Sequence, residues 1–133
     1  MIFNEITGDL FDNVKDRVPV HCISQDCKMG KGIALPMKKK YNLDFSASKY
    51  PDCIYYHGVL NLITKKKYFD KPTYQTLTEA LTIARDICME QDITRLVMPR
   101  IGCGLDLLHW GKVKAIIKEV FRDDDIDILV CTL

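Results

Sequence analysis

Residues Thr94–Trp110, TRLVMPRIGCGLDLLHW, decide how the rest of the chain is read. The apolar run Arg95–Pro99 is too short for a helix and reads as a strand. Two glycines follow, Gly102 and Gly104, on either side of Cys103. Asp106 comes next, and a helix begins near His109. A strand that ends in a glycine loop and feeds a helix is a building unit of α/β proteins. It also leaves a question open, because such a loop is either a tight turn or a ligand cradle.

Outward from this stretch the pattern keeps alternating. Val113, Ile116, Ile117, Val120 and Phe121 form a helical stripe, with Lys112, Lys114, Lys118 and Glu119 mostly off it. Asp125–Leu133 closes the chain as a strand. Upstream, Tyr74, Leu77, Leu81, Ala84 and Cys88 step by three and four along one helix face, and Pro72 suits its start. Cys53–Tyr56 and Val59–Thr64 read as extended, with a break at His57–Gly58. A short helix is expected over Ile33–Lys40, with Pro36 in its first turn. Tyr41–Asp52 has no clear period and reads as loop. Val18–Ser24 and Met1–Ile6 complete the strands, the second ended by Gly8–Asp9. The expected architecture is an α/β sandwich. Its sheet should be mixed, because the first half lacks a crossover helix between every pair of strands. No repeat or linker is visible, so residues 1–133 read as one domain.

Bulk composition excludes several functions. The formal net charge of +1 gives no general attraction to nucleic acid or membrane. No apolar run approaches the roughly 20 residues of a membrane span. The opening MIFNEITGDLF carries acids where a leader would carry a basic region, so no leader is expected. The 6 cysteines include no CxxC pair, which argues against zinc. Cys22, Cys88, Cys103 and Cys131 lie in or beside apolar stretches, as reduced core thiols do. An intracellular, reducing compartment is the expectation, cytoplasmic or nuclear.

Ligands of open α/β sheets bind beyond the carboxyl ends of strands. Two segments with paired glycines stand there: SQDCKMGKGIA, with Gly30 and Gly32, and RIGCGLD. Glycine permits positive φ, so consecutive N–H groups can converge on one phosphate oxygen. Either loop alone reads first as a turn, but two at equivalent strand ends suit a ligand with two phosphates. Asp9 is either an N-cap or a hydrogen-bond acceptor for an adenine or ribose. Lys65 is either a solvated member of a charge run or a nucleophile at a cleft. Asp106 is either a helix cap or a general acid/base. Cys103 with His21, His57 or His109 as base is a weaker arrangement, since nothing in the sequence pairs them. Tyr74 and Trp110 read as packing residues.

Five segments then occur in a telling order: TGDLF, HCISQDCKMGKGIA, LITKKK followed by KPTY, MPRIGCGLD and the terminal CTL. Together they resemble a macrodomain, specifically the terminal ADP-ribose protein glycohydrolase branch, from about Ile2 to Leu133. Tyr41–Tyr56 is the least matched stretch and looks shorter than in that branch. The resemblance implies a three-layer α/β/α fold with a mixed central sheet and an ADP-ribose cleft. Asp9 and Leu10 would hold the adenine end. Ser24 and Met29–Ile33, with Gly30 and Gly32, would border the distal ribose and phosphates. Ile101, Gly102, Cys103, Gly104 and Leu105 would form the second phosphate loop. The resemblance places the catalytic pair at Lys65 and Asp106, with Lys65 as nucleophile, Asp106 as acid/base, and no metal or other cofactor. Expected partners are ADP-ribose and ADP-ribosylated protein, met by a monomer, with ADP-ribosylated DNA bases a further candidate. A non-catalytic ADP-ribose reader and a hydrolase of small esters such as O-acetyl-ADP-ribose are the competing readings.

Overall fold

A computed structural model describes residues 1–133. Six strands form one sheet: β1 (Ile2–Thr7), β2 (Val18–Ser24), β3 (Asp52–Tyr56), β4 (Val59–Lys65), β5 (Arg95–Met98) and β6 (Asp127–Thr132). Their spatial order is β1-β6-β5-β2-β4-β3. All neighbours run parallel except β3 and β4, which are antiparallel, so the sheet is mixed as expected. Three helices complete the fold: α1 (Ala34–Tyr41), α2 (Tyr74–Glu90) and α3 (Trp110–Val120). A single 3-10 turn covers Leu10–Asn13.

Successive side chains of a strand point to opposite faces, and the core divides accordingly. Val20, Leu60, Leu62, Leu96, Met98, Ile128 and Val130 face one way, against Leu77, Leu81 and Ala84 of α2 and Val113 and Ile117 of α3. Ile23, Val59, Ile63, Val97 and Cys131 face the other, against Leu10 and Met37. This is a three-layer α/β/α sandwich. Each fully buried leucine or isoleucine contributes roughly 1.5–3 kcal/mol by leaving water.

Helix ends carry their own chemistry. Thr73 and Thr76 form a reciprocal capping box, each hydroxyl accepting from the other's backbone N–H at 3.0 Å. Pro36 lies in the first turn of α1, where its missing N–H breaks no helical bond. Lys38, Lys39 and Lys40 occupy the last turn, next to the negative end of the helix dipole. Asn42 ends that helix in a left-handed conformation and donates its N–H to Lys38 O.

Candidate active site

Because β1, β2, β4, β5 and β6 run parallel, their carboxyl ends share one edge of the sheet. Gly8–Leu10, Gln25–Ile33, Lys65 and Pro99–His109 therefore collect along a single rim. Segments nearly a hundred residues apart in the chain become neighbours there.

At the rim Lys65 Nζ donates to Asp106 Oδ1 at 2.7 Å. The two side chains are only 12% and 14% exposed, so the pair is largely shielded from water. The approach to Lys65 is irregular. β2 and β4 stay in register through Ile23 and Ile63, then Ser24 pairs with Lys65 and Thr64 is left over. Such a bulge breaks the two-residue alternation, a device often found beside active sites. Past it, Gln25 N donates to Lys65 O at 2.8 Å and Asp26 N to Lys66 O at 3.2 Å, so the ladder resumes. Asp106 does not cap a helix. The N-cap of α3 is His109, which makes no side-chain capping bond.

The two glycine loops differ in which residues need to be glycine. Gly32 and Gly102 adopt φ +59° and +73°, in the left-handed region, whereas Gly30 and Gly104 do not. A Cβ on Gly102 would lie 3.0 Å from Leu108 Cδ1, and one on Gly32 would lie 3.4 Å from Leu105 Cδ1. The second contact shows that the loops meet. Leu108 N donates to Gly102 O at 2.8 Å and Leu107 N to Gly104 O at 3.2 Å, which folds the second loop onto itself. Ile101 and Met29 are buried anchors beneath the two loops, and Ile33 lies at the start of α1. Gly102→Ala should therefore cost about 1–2 kcal/mol in backbone strain alone. ADP-ribose affinity, measured by calorimetry, is expected to fall at least tenfold. Unchanged affinity would show that this turn takes no part in the site.

Asp9 accepts from Phe11 N at 2.9 Å and is the N-cap of the 3-10 turn. This is the expected N-cap role, and any ligand contact would be additional to it. Leu10 next to it is buried. Ser24 is buried too, and its hydroxyl donates to Asp26 rather than standing free. Asp26 is a site residue that no sequence motif singles out. It also accepts from Lys28 N at 3.2 Å and Tyr68 N at 2.9 Å, tying the first glycine loop to the segment after Lys65. Burial opposes its charge. The hydrogen bonds from Ser24, Tyr68 and Lys28 outweigh that and hold the Asp26 carboxyl below its usual range.

A thiol nucleophile finds no support. All 6 cysteines are free. Cys103 Sγ donates to Ile101 O at 3.3 Å, and burial raises its pKa. Burial, reinforced by the nearby Asp106 carboxylate, raises that of Cys22 as well. None of the histidines is bonded to a thiol. His21 Nε2 meets Asn61 Oδ1 at 2.6 Å in the core, and His57 Nδ1 lies on the carbonyls of Tyr41 and Asn42. Tyr74 and Trp110 pack as expected, with polar tips engaged: Tyr74 OH accepts from His109 N at 3.0 Å, and Trp110 Nε1 donates to Glu5 at 2.8 Å. No helix is long and apolar enough to cross a membrane.

No protein-family model matches the chain. Curated relatives do. The ADP-ribose glycohydrolase OARD1 of Bos taurus is 44% identical over 141 residues, covering 96% of this chain and 90% of the relative. The chain belongs to the OARD1 family of ADP-ribose glycohydrolases. The human member is 43% identical over the same coverage. The fold is shared with solved macrodomains. The macrodomain of Mycobacterium tuberculosis DarG superposes with a TM-score of 0.84 at 20% identity, covering 99% of this chain and 98% of that one. Thermosipho africanus DarTG in complex with ADP-ribose gives 0.71 at 18% identity, over 100% of this chain and 42% of that one.

Proposed function

We propose that the protein hydrolyses ester-linked mono-ADP-ribose from glutamate or aspartate side chains of modified proteins, with Lys65 as nucleophile and Asp106 as proton-transfer group. The observation that carries this reading is the shielded 2.7 Å contact between Lys65 Nζ and Asp106 Oδ1, set beside two converging glycine loops. Family membership supports the activity, since its curated relatives are named as ADP-ribose glycohydrolases.

In this reading Gly30, Gly32, Gly102 and Gly104 offer backbone N–H groups to the two phosphates, while Cys103, whose N–H is donated to Arg100 O at 3.2 Å, shapes the turn between them. Asp9 and Leu10 receive the adenine end. Met29, Ile33, Ile101 and Leu105 line the path between, and Ser24 supports the first loop through Asp26. An ester to a carboxylate makes the anomeric carbon of the distal ribose electrophilic and supplies a good leaving group. Asp106 lies within direct reach of the proton that Lys65 must lose before it attacks. The neutral Lys65 nitrogen then bonds to the anomeric carbon as the bond from that carbon to the ester oxygen breaks, and the carboxylate of the target departs with the electron pair. Water replaces the lysine nitrogen, with Asp106 moving protons, and free ADP-ribose leaves. The chain works as a monomer in a reducing compartment, a proposal consistent with its free thiols.

The experiment is direct. Purified protein is incubated with a glutamate-linked mono-ADP-ribosylated target, and release of ADP-ribose is followed by chromatography. Release at a rate proportional to enzyme is the expected result. Tight ADP-ribose binding with no release from any ester would instead establish a reader.

A further inference from the structure

Four of the chain's twelve large exposed apolar side chains sit on the two segments that flank the Lys65–Asp106 pair: Tyr68, Phe69, Leu105 and Leu107. Tyr68 and Phe69 stack edge to face with centroids 5.3 Å apart, yet remain 52% and 67% exposed. Their segment is fixed in place. Asp26 holds Tyr68 N, Asp70 accepts from Lys67 N, and Lys71 Nζ donates to Leu105 O at 2.6 Å. That last bond joins the segment to the second glycine loop one residue before Asp106.

Leu107 is the least expected member. It is 72% exposed and adopts φ +65°, a region where a non-glycine residue is strained. Glycine or asparagine would relieve that strain, and an exposed leucine gains nothing from packing. Its side chain stands in solvent one residue after Asp106, at a cost to the backbone.

Charge runs the same way around this rim. Lys28, Lys66 and Lys67 form no ion pair, and Lys28 Nζ lies 5.2 Å from the Tyr68 ring centroid. The carboxylates nearby are occupied: Asp26 and Asp70 by backbone N–H groups, Asp106 by Lys65. An apolar platform with unpaired lysines at its edge is complementary to a peptide that combines apolar and acidic side chains. A group bound there would adjoin the bond being cleaved.

We propose that this rim docks the polypeptide carrying the modified residue, selecting acceptors in which the ADP-ribosylated carboxylate is followed or preceded by an apolar residue among further acids. The inference rests on the hydrolase reading above and adds the acceptor sequence to it. Phe69 and Leu107 take the apolar residue, and Lys28 and Lys67 face the acids.

The test compares three substrates. Two are synthetic peptides with one ADP-ribosyl glutamate, set either among acids and a leucine or among serines and lysines. The third is O-acetyl-ADP-ribose, which has no acceptor chain. The wild-type protein is expected to prefer the acidic, leucine-containing peptide by about tenfold in kcat/KM. The double variant Phe69→Ser, Leu107→Asn should lose that preference through a higher KM, with acetyl-ester hydrolysis unchanged. Lys67→Glu should weaken the acidic peptide alone. Equal losses on peptide and acetyl ester, or no change on either, would overturn the proposal. Peptide affinity is read in parallel by fluorescence anisotropy. Should wild-type protein bind every ligand and release none, the hydrolase reading fails. The docking surface then stands only if the acidic peptide still binds about tenfold tighter than ADP-ribose and the double variant abolishes the difference.

Discussion

Lys65→Arg is expected to abolish ester release, lowering the rate by about 10³-fold or more, while the protein stays folded and still binds ADP-ribose. Arginine keeps the positive charge facing Asp106, so the shielded carboxylate is not left without a partner. It cannot lose a proton at accessible pH and so cannot act as a nucleophile. Lys65→Ala removes both charge and nucleophile, so the arginine variant is the cleaner comparison. A loss of 10³-fold corresponds to about 4 kcal/mol of barrier, within the range of a lost nucleophile or acid/base group. Asp106→Ala should behave differently. With the proton-transfer group gone, the adduct would resolve slowly, and intact mass would show protein heavier by one ADP-ribose. Full activity in Lys65→Arg would remove lysine from the mechanism altogether.

The second large effect concerns pH and stability. His21 and Asn61 are fully buried partners in register across β2 and β4. Asn61 Nδ2 donates to Ile54 O and Val59 O, so its Oδ1 must accept, and His21 carries its proton on Nε2. His21 Nδ1 has no partner. Burial pushes the imidazole's pKa from 6.5 down to about 4, against the smaller opposing effect of the Asn61 hydrogen bond. Between those values the unfolded chain holds a proton that the folded one does not. Stability is therefore complete above about pH 6.5 and declines as pH falls toward 4, by about 3 kcal/mol from this residue. Carboxylates held below their usual range, Asp26 and the Lys114-bonded Glu5, add their losses at lower pH. Urea unfolding at pH 7, 5.5 and 4.5, compared with His21→Gln, isolates the histidine. Identical pH slopes in the two proteins would exclude it as the source.

Periodicity carried much of the fold. The stripe through Leu77, Leu81 and Ala84 and the run Val59–Thr64 locate α2 and β4, because the core they enter demands those spacings. Strand order could not be read this way. Nothing in Ile2–Thr7 marks β6 as its neighbour, for most of β1 is exposed and has little apolar alternation. The site was legible in unequal parts. Paired glycines at strand ends mark both loops from composition alone, yet not which glycine needs positive φ. Lys65 and Asp106 are 41 residues apart, and only the family resemblance joined them. Asp26 carried one faint signal, an acid just beyond a strand and ahead of a glycine pair. Its tie to Tyr68 is a tertiary contact that no local spacing announces.

The position of β6 bears on how the molecule is made. The sheet's last strand in chain order inserts between the first strand and the fifth. Until Asp127–Thr132 emerges, β1 has no hydrogen-bonding neighbour and β5 presents a bare edge. Gly8–Leu10 and the second glycine loop reach a common rim only when that strand closes the gap. The nascent chain thus acquires a complete cleft in one late event, and sequences around β6 carry a disproportionate share of the risk of misassembly during synthesis.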